Sequence, residues 1–181
     1  AALGQNNLGI SDSGSGTIIG STAEFGRNHF GNLATAIIAD ASTGTAIINN
    51  YIGVKPDGSA SAATMTNGIV LAGGALNNVI GGSGDLARNM IGNVTSQGVL
   101  VNGATGLSIL GNNIGLAPDG ATDFGNGANG INVVNATNLY IGRSVDGQVH
   151  AANLISGNTL AGINLASSGA ISGVYIEANK I

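Results

Sequence analysis

The chain has 181 residues, of which 43% are hydrophobic, 8% are charged and 32 are glycine. A net charge of −4 without a basic stripe excludes a nucleic-acid surface, and no apolar run reaches the roughly 18 residues of a membrane span. The absence of cysteine excludes disulfides, thiolate metal sites and cysteine nucleophiles.

Short runs of Ile, Val, Leu and Ala indicate short strands from the N-terminus onward. A first strand is predicted around Leu8-Gly9-Ile10, a second ends in Ile19-Gly20, and a third has Asn28 two residues before Phe30. Because side chains alternate between the two faces of a strand, the apolar residues of each motif share one side. We predict that the three strands form one coil around a common core.

The same three motifs return along the whole chain. Ile19-Gly20 recurs as Ile80-Gly81 and again as Ile141-Gly142, each time 61 residues later. This spacing predicts three repeats, approximately 1–61, 62–120 and 121–181, with two coils in each. Later first strands are predicted at Ala36-Ile37-Ile38-Ala39, Gly68-Ile69-Val70-Leu71, Gly98-Val99-Leu100-Val101, Gly130-Ile131-Asn132-Val133 and Gly162-Ile163-Asn164-Leu165. Later second strands carry the inward pairs Leu107 and Ile109, Leu139 and Ile141, and Val174 and Ile176.

An asparagine marks the third strand of every coil. The series is Asn28, Asn50, Asn89, Asn112, Asn153 and Asn179. Inward asparagines stacked in register can bond to one another and to the backbone at a corner, so we predict a structural asparagine ladder. The fold class is therefore all-β, a right-handed parallel β-helix (β-solenoid) of about six coils with three short strands each. Right-handedness follows the usual crossover rule, and left-handed winding is the alternative.

Antiparallel hairpins are a second alternative, because Asn-Gly turn signals occur at Asn67, Asn102, Asn126 and Asn129. Hairpins do not explain why like residues recur once per coil, whereas parallel stacking of like on like does. The parallel β-helix is therefore favoured, as one domain over residues 1–181.

The pattern G-[IV]-x-[VL]…L-x-I-x-x-N-x-I-G, which covers essentially the whole chain, resembles the repeats of the pectate-lyase-like right-handed parallel β-helix superfamily. It is most similar to the carbohydrate-associated and surface-protein repeats of that group. The resemblance implies the fold but no single activity, since the superfamily includes lyases, glycosidases and surface stalks. Its lyases use acidic calcium ligands with a nearby Arg or Lys base on one face. Here Asp40 and Glu177, the acids near strand ends in coils two to six, lie on distant coils.

The remaining acidic residues follow the repeat. Glu24, Asp85 and Asp146 recur at intervals of 61, and the first two are expected to pair with Arg27 and Arg88 as loop ion pairs. A catalytic centre is a singular cluster, whereas these charges recur with the unit, so no catalytic residue is predicted.

The loop acids and a histidine are candidate metal ligands, and both also have a structural interpretation. Asp119 and Asp123 supply oxygen atoms for a calcium ion in the loop 119–126, although turn chemistry in solvent explains them as well. No other metal or cofactor is predicted. His29 lies in an outward slot and is interpreted as a surface side chain. The later members of that slot are Tyr51, Met90, Asn113, Leu154 and Lys180.

Two outward features indicate contacts. Ile38, Val70 and Leu100 form an apolar strip on three successive coils, which we interpret as a contact with another chain or element. Tyr140 and Tyr175 fall on adjacent coils and are candidates for stacking on a sugar.

The expected function is a structural or adhesive β-solenoid segment of an extracellular or cell-surface protein or filament. The alternative is a carbohydrate-binding or carbohydrate-active module, lyase-like or glycosidase-like, and enzyme activity is disfavoured without being excluded. Expected partners are further β-helix at one or both ends, from a longer chain or from head-to-tail copies, together with glycans.

Overall fold

The computed structural model describes residues 7–23, 25–62, 65–143, 151–166 and 170–181. Within them the chain is all-β, with one short 3₁₀ helix at Asp85–Ala87. The strands in chain order are β1 (Leu8–Asp12), β2 (Ile18–Ile19), β3 (Asn28–Phe30), β4 (Thr35–Asp40), β5 (Ala46–Ile47), β6 (Asn50–Ile52), β7 (Asn67–Ala72), β8 (Ala75–Leu76), β9 (Val79–Gly81), β10 (Met90–Ile91), β11 (Val99–Thr105), β12 (Ser108–Leu110), β13 (Asn113–Ile114), β14 (Ile131–Ile141), β15 (Leu154–Ile155), β16 (Ile163–Leu165) and β17 (Ile171–Ile176).

The strands lie in two sheets of twelve and five strands. In the larger sheet the order β1-β4-β7-β11-β14 continues as β12-β9-β5-β2, because the 11-residue β14 spans both the first and the second strand position of its coil. The smaller sheet, in the order β15-β13-β10-β6-β3, contains the third strands. All of these strand pairs are parallel. The fold is a right-handed parallel β-helix, and the predicted fold class is confirmed.

The β-helix has about five turns, slightly fewer than the six coils that the sequence predicts. The last coil contributes β16 and β17 to the larger sheet. Its third strand is reduced to one isolated parallel bridge between Leu154 and Lys180. The sixth coil is therefore incomplete in its hydrogen bonding, which accounts for the difference.

The register stacks like residues on like residues. Ile10 pairs with Ile37, and Ile37 pairs with Ile69 in the following coil. Ile37 and Ile69 are fully buried, and each side chain of this kind stabilises the fold by about 1.5–3 kcal/mol. The hairpin alternative is wrong, because antiparallel pairing among the described residues is confined to single bridges inside the loops 54–60 and 116–123.

The recurring Ile-Gly dipeptide has a steric cause at the corner after the second strand. Gly20, Gly81 and Gly142 have φ values of +92°, +88° and +100°, which L side chains rarely adopt. A Cβ atom on Gly81 would also lie 2.0 Å from the carbonyl oxygen of Leu110 in the next coil. Both constraints recur every second coil, so the glycine recurs with the repeat.

Candidate functional site

The asparagine series forms a continuous ladder at one corner of the β-helix. The side-chain amide nitrogen of each member donates a hydrogen bond to Oδ1 of the member in the next coil, over 2.8–3.0 Å. The ladder runs through Asn28, Asn50, Asn89, Asn112, Asn153 and Asn179. Its four inner members are fully buried, and the predicted inward ladder is confirmed.

Asn89 shows how the side chain of an inner ladder member is hydrogen-bonded. Its Oδ1 accepts hydrogen bonds from the backbone nitrogen of Asn50 at 2.9 Å and from the Nδ2 atom of Asn50 at 3.0 Å. Its own Nδ2 donates to Oδ1 of Asn112 at 2.9 Å and to the carbonyl oxygen of Ile47 at 2.7 Å. Buried amides require such partners, and both amide hydrogens of Asn89 are used. The ladder therefore links coils to one another rather than presenting groups to a ligand.

A second, shorter asparagine stack was missed by the sequence reasoning. Nδ2 of Asn126 donates to Oδ1 of Asn158 at 2.8 Å, and Asn126 is fully buried. Beside it, Nδ2 of Asn129 donates to Oε1 of Gln97 at 3.1 Å. The signal in the sequence is the recurrence of Gly-Asn at Gly125-Asn126 and at Gly157-Asn158, 32 residues later.

Asp12 is a buried carboxylate that the sequence reasoning also missed. It stands in register with Ala39, an inward core position of the next coil. Its Oδ1 accepts hydrogen bonds from Thr17 Oγ1 at 2.8 Å and from the Gly14 nitrogen at 3.1 Å, and its Oδ2 accepts one from Thr45 Oγ1 at 2.5 Å. Burial raises the pKa of Asp12, but these three hydrogen bonds outweigh it and hold the pKa below its usual value.

The predicted apolar strip lies in continuous register along the larger sheet. Ile38 pairs with Val70, and Val70 pairs with Leu100. All three side chains are half-buried. The next outward pair is polar, because Nδ2 of Asn164 donates to Oδ1 of Asn132 at 2.8 Å. The strip is therefore three coils long, and its role as a contact stays a prediction.

The two tyrosines stack directly on each other. The ring centroids of Tyr140 and Tyr175 are 5.1 Å apart and the planes differ by 3°. The guanidinium carbon of Arg143 lies 5.0 Å from one centroid and 4.5 Å from the other, so the cation flanks both rings. Nε of Arg143 lies 3.0 Å from Oε1 of Glu177, so the two side chains form a partly exposed ion pair beside the tyrosines. An aromatic surface with adjacent charged groups results, and Tyr175 is 47% exposed.

The long loops that follow β6 and β13 fold over the outward face of the smaller sheet. Tyr51, Met90 and Asn113 are buried there, although their slot was interpreted as a surface position. Tyr51 and Met90 pack with Val54, and Phe124 from the second loop covers this cluster. His29 remains exposed, and its ring contacts Tyr51 edge to face. The loops therefore add a small outer core.

The loops also bound two clefts. One, of about 290 Å³, is lined by Asp57, Gly58, Ala117, Pro118, Asp119, Thr122 and Phe124. The other, of about 320 Å³, is lined by Ala60, Asn93, Asp123, Phe124, Gly125, Gly157 and Thr159. The calcium candidates Asp119 and Asp123 thus fall in different clefts.

The loop carboxylates are engaged by their own turns. Asp119 accepts hydrogen bonds from the Thr122 hydroxyl and from the nitrogens of Thr122 and Ala121, which together lower its pKa. Hydrogen bonds from Ser59 likewise lower the pKa of Asp57. In the part of the chain that the structure describes, no three His, Asp or Glu side chains gather in a group able to hold a metal ion. These contacts agree with the turn interpretation of Asp119, and calcium binding stays an untested alternative.

Neither Asp85 nor Arg88 lines these clefts. Arg88 pairs with Asp85 at 3.2 Å on the surface, as predicted, and such a pair contributes little to stability. Glu24 and Asp146 lie outside the described residues. Arg27 contacts Asn49 through Nε at 3.0 Å and stacks over the ring of Tyr51.

The fold and its buried polar stacks define the class of the protein as a parallel β-solenoid with internal repeats. No family model, curated protein or solved structure matches the chain. Among the described residues, no helix has the length and apolar character needed to cross a membrane.

Proposed function

We propose that the chain is a structural segment of a pectate-lyase-like β-helical protein of the extracellular or cell-surface kind, acting as a stalk, adhesin or filament element. The observation that carries the proposal is the asparagine ladder, which spans all coils and links each to the next. Such a ladder suits an elongated structural element, because each coil contacts only its neighbours and stability accumulates along the axis. Further β-helix, from the same polypeptide or from copies, would extend that element.

The placement of the carboxylates supports a structural role over catalysis. Glycosidases need two carboxyl groups about 5–9.5 Å apart with distinct protonation states. Here Asp57 and Asp119 both have lowered pKa values, which suits neither for a general acid near neutral pH. Asp12 is held inside the β-helix by three hydrogen bonds.

Incubation with acidic and neutral polysaccharides, with and without calcium, tests the proposal. We expect neither unsaturated nor new reducing ends. Turnover that a single substitution such as Asp119→Asn or Asp57→Asn abolishes would overturn the structural assignment and favour a carbohydrate-active enzyme.

Carbohydrate binding is the second candidate, favoured by the tyrosine pair. Tyr175 offers an exposed aromatic ring beside the charged groups of Arg143 and Glu177, a combination that suits the apolar and hydroxyl-bearing faces of a sugar. Binding to an array of glycans should then be lost in Tyr175→Ala and retained in Phe25→Ala. Phe25 is a suitable control because it is an aromatic residue that is 93% exposed. Equal retention in both variants, or no binding to any glycan, would remove this candidate.

A further inference from the structure

The stacked tyrosines also satisfy the requirements for a covalent link between coils. Tyr140 and Tyr175 are 35 positions apart in sequence and stand directly opposite each other in the parallel register of β14 and β17. Their parallel rings, with centroids 5.1 Å apart, bring carbon atoms of the two phenols close together. Both side chains point outward, and Tyr175 is exposed enough for an oxidant to reach it.

Neighbouring groups hold this geometry in place. Arg143 lies beside both rings and forms an ion pair with Glu177, so the two phenols share one cationic neighbour. The backbones beneath the rings are fixed by the flanking pairs, Leu139 with Val174 and Ile141 with Ile176. A reaction between the rings therefore needs only rotation about side-chain bonds, without movement of the strands.

We propose that Tyr140 and Tyr175 form a dityrosine cross-link when the protein meets a peroxide and a peroxidase. Each phenol loses one electron and one proton, and the two phenoxyl radicals join through a carbon–carbon bond between ring positions ortho to the oxygens. The two ortho hydrogens then return to the phenol oxygens as protons, which restores both aromatic rings. The chain loses two hydrogen atoms in total, and the peroxide is reduced to two molecules of water.

The third tyrosine provides an internal control. Tyr51 is buried beneath the long loops, and its aromatic neighbour is His29 rather than another tyrosine. The chain contains three tyrosines in all, so a link within one molecule has a single stacked pair to form from. The cross-link would join coils five and six, and it would restrict the unfolded chain in the way that a disulfide does.

The test is oxidation of the full chain with hydrogen peroxide and a peroxidase. We expect dityrosine fluorescence, migration as a 17.5 kDa monomer on a denaturing gel, and a yield per chain that does not depend on protein concentration. Trypsin cleaves after Arg88, Arg143 and Lys180, which separates the two tyrosines onto peptides 89–143 and 144–180. Mass spectrometry should therefore find these two peptides joined, with two hydrogen atoms missing, and thermal unfolding of the oxidised chain should shift upward.

Conservative variants decide whether the dityrosine forms from the stacked pair. Tyr140→Phe and Tyr175→Phe keep the stacked rings and should lose the joined peptides, whereas Tyr51→Phe should retain them at the wild-type yield. Products that form only between molecules, that rise with protein concentration, or that persist in Tyr175→Phe would overturn the inference. So would a wild-type chain that keeps all its hydrogens under conditions that cross-link free tyrosine.

Discussion

Replacing Asn89 with leucine should destabilise the protein, because it removes the buried hydrogen bonds that the Asn89 side chain makes to Asn50, Ile47 and Asn112. In the substituted chain, the buried backbone N–H of Asn50 has no Oδ1 to bond to, because that oxygen belongs to Asn89. Leaving one buried donor unpaired costs about 1–3 kcal/mol. Nδ2 of Asn50 still donates to the carbonyl oxygens of Ile19 and Ile48, and Oδ1 of Asn112 still accepts from the backbone nitrogen at position 89. We therefore expect the free energy of unfolding to fall by about 1–3 kcal/mol.

Thermal and denaturant unfolding measure this change. A loss of that size should lower the midpoint temperature by roughly 2–12 °C in a chain of this length. Asn102→Leu is the matched control, because Asn102 lies exposed in β11, and its effect should stay within about 0.5 kcal/mol. Asn28→Leu should fall between them, since Asn28 is a half-buried end member with one bond to the next rung. Equal midpoints for Asn89→Leu and Asn102→Leu would refute the view that the ladder stabilises the β-helix.

Other substitutions test the corner and the buried carboxylate. Gly81→Ala should lower the unfolding midpoint strongly, because φ is +88° and the new Cβ would meet a carbonyl oxygen at 2.0 Å. Gly84→Ala is the control and should leave the midpoint nearly unchanged, because Gly84 has extended backbone and no atom within 4 Å of the added Cβ. Asp12 has a folded pKa below its usual 3.8, so its contribution is present above that pH and is lost as the pH falls through the folded pKa. Wild type should therefore lose stability relative to Asp12→Asn only in acid, and a constant difference across the acid range would contradict the hydrogen-bonded ionised form. Added calcium should leave the unfolding midpoint unchanged, since Asp119 already accepts hydrogen bonds at both carboxylate oxygens. A clear rise of the midpoint with calcium that Asp119→Asn removes would show a calcium site.

The inward face of the β-helix was predictable residue by residue. Ile-Gly at intervals of 61 is set by contacts that recur in every second coil, and the Asn two residues before an apolar residue is set by contacts that recur in every coil. Both therefore appear in the sequence as periods. The register pairs Ile19 with Ile47 and Ile47 with Ile80, and the ladder connects Asn50 to Asn89, as like-on-like stacking requires. Periodicity is enough here because each position in a coil has the same neighbours above and below.

Only the tertiary structure decided what lies outside or interrupts that period. Phe124 covers Tyr51 and Met90 because the loops fold back over the smaller sheet. The two loops share Pro-Asp-Gly, but the position in the first loop that corresponds to Phe124 is Ala62, so the repeat does not predict this contact. Asp12 occupies a core position because Thr45 of the next coil supplies a hydroxyl at 2.5 Å, and a carboxylate can be buried only where such donors converge. The sequence by itself determined the repeated coil and its ladder, since those depend on neighbours one coil away. The loop contacts and the buried acid depend on particular side chains that meet once, and these become visible only when the chain is folded.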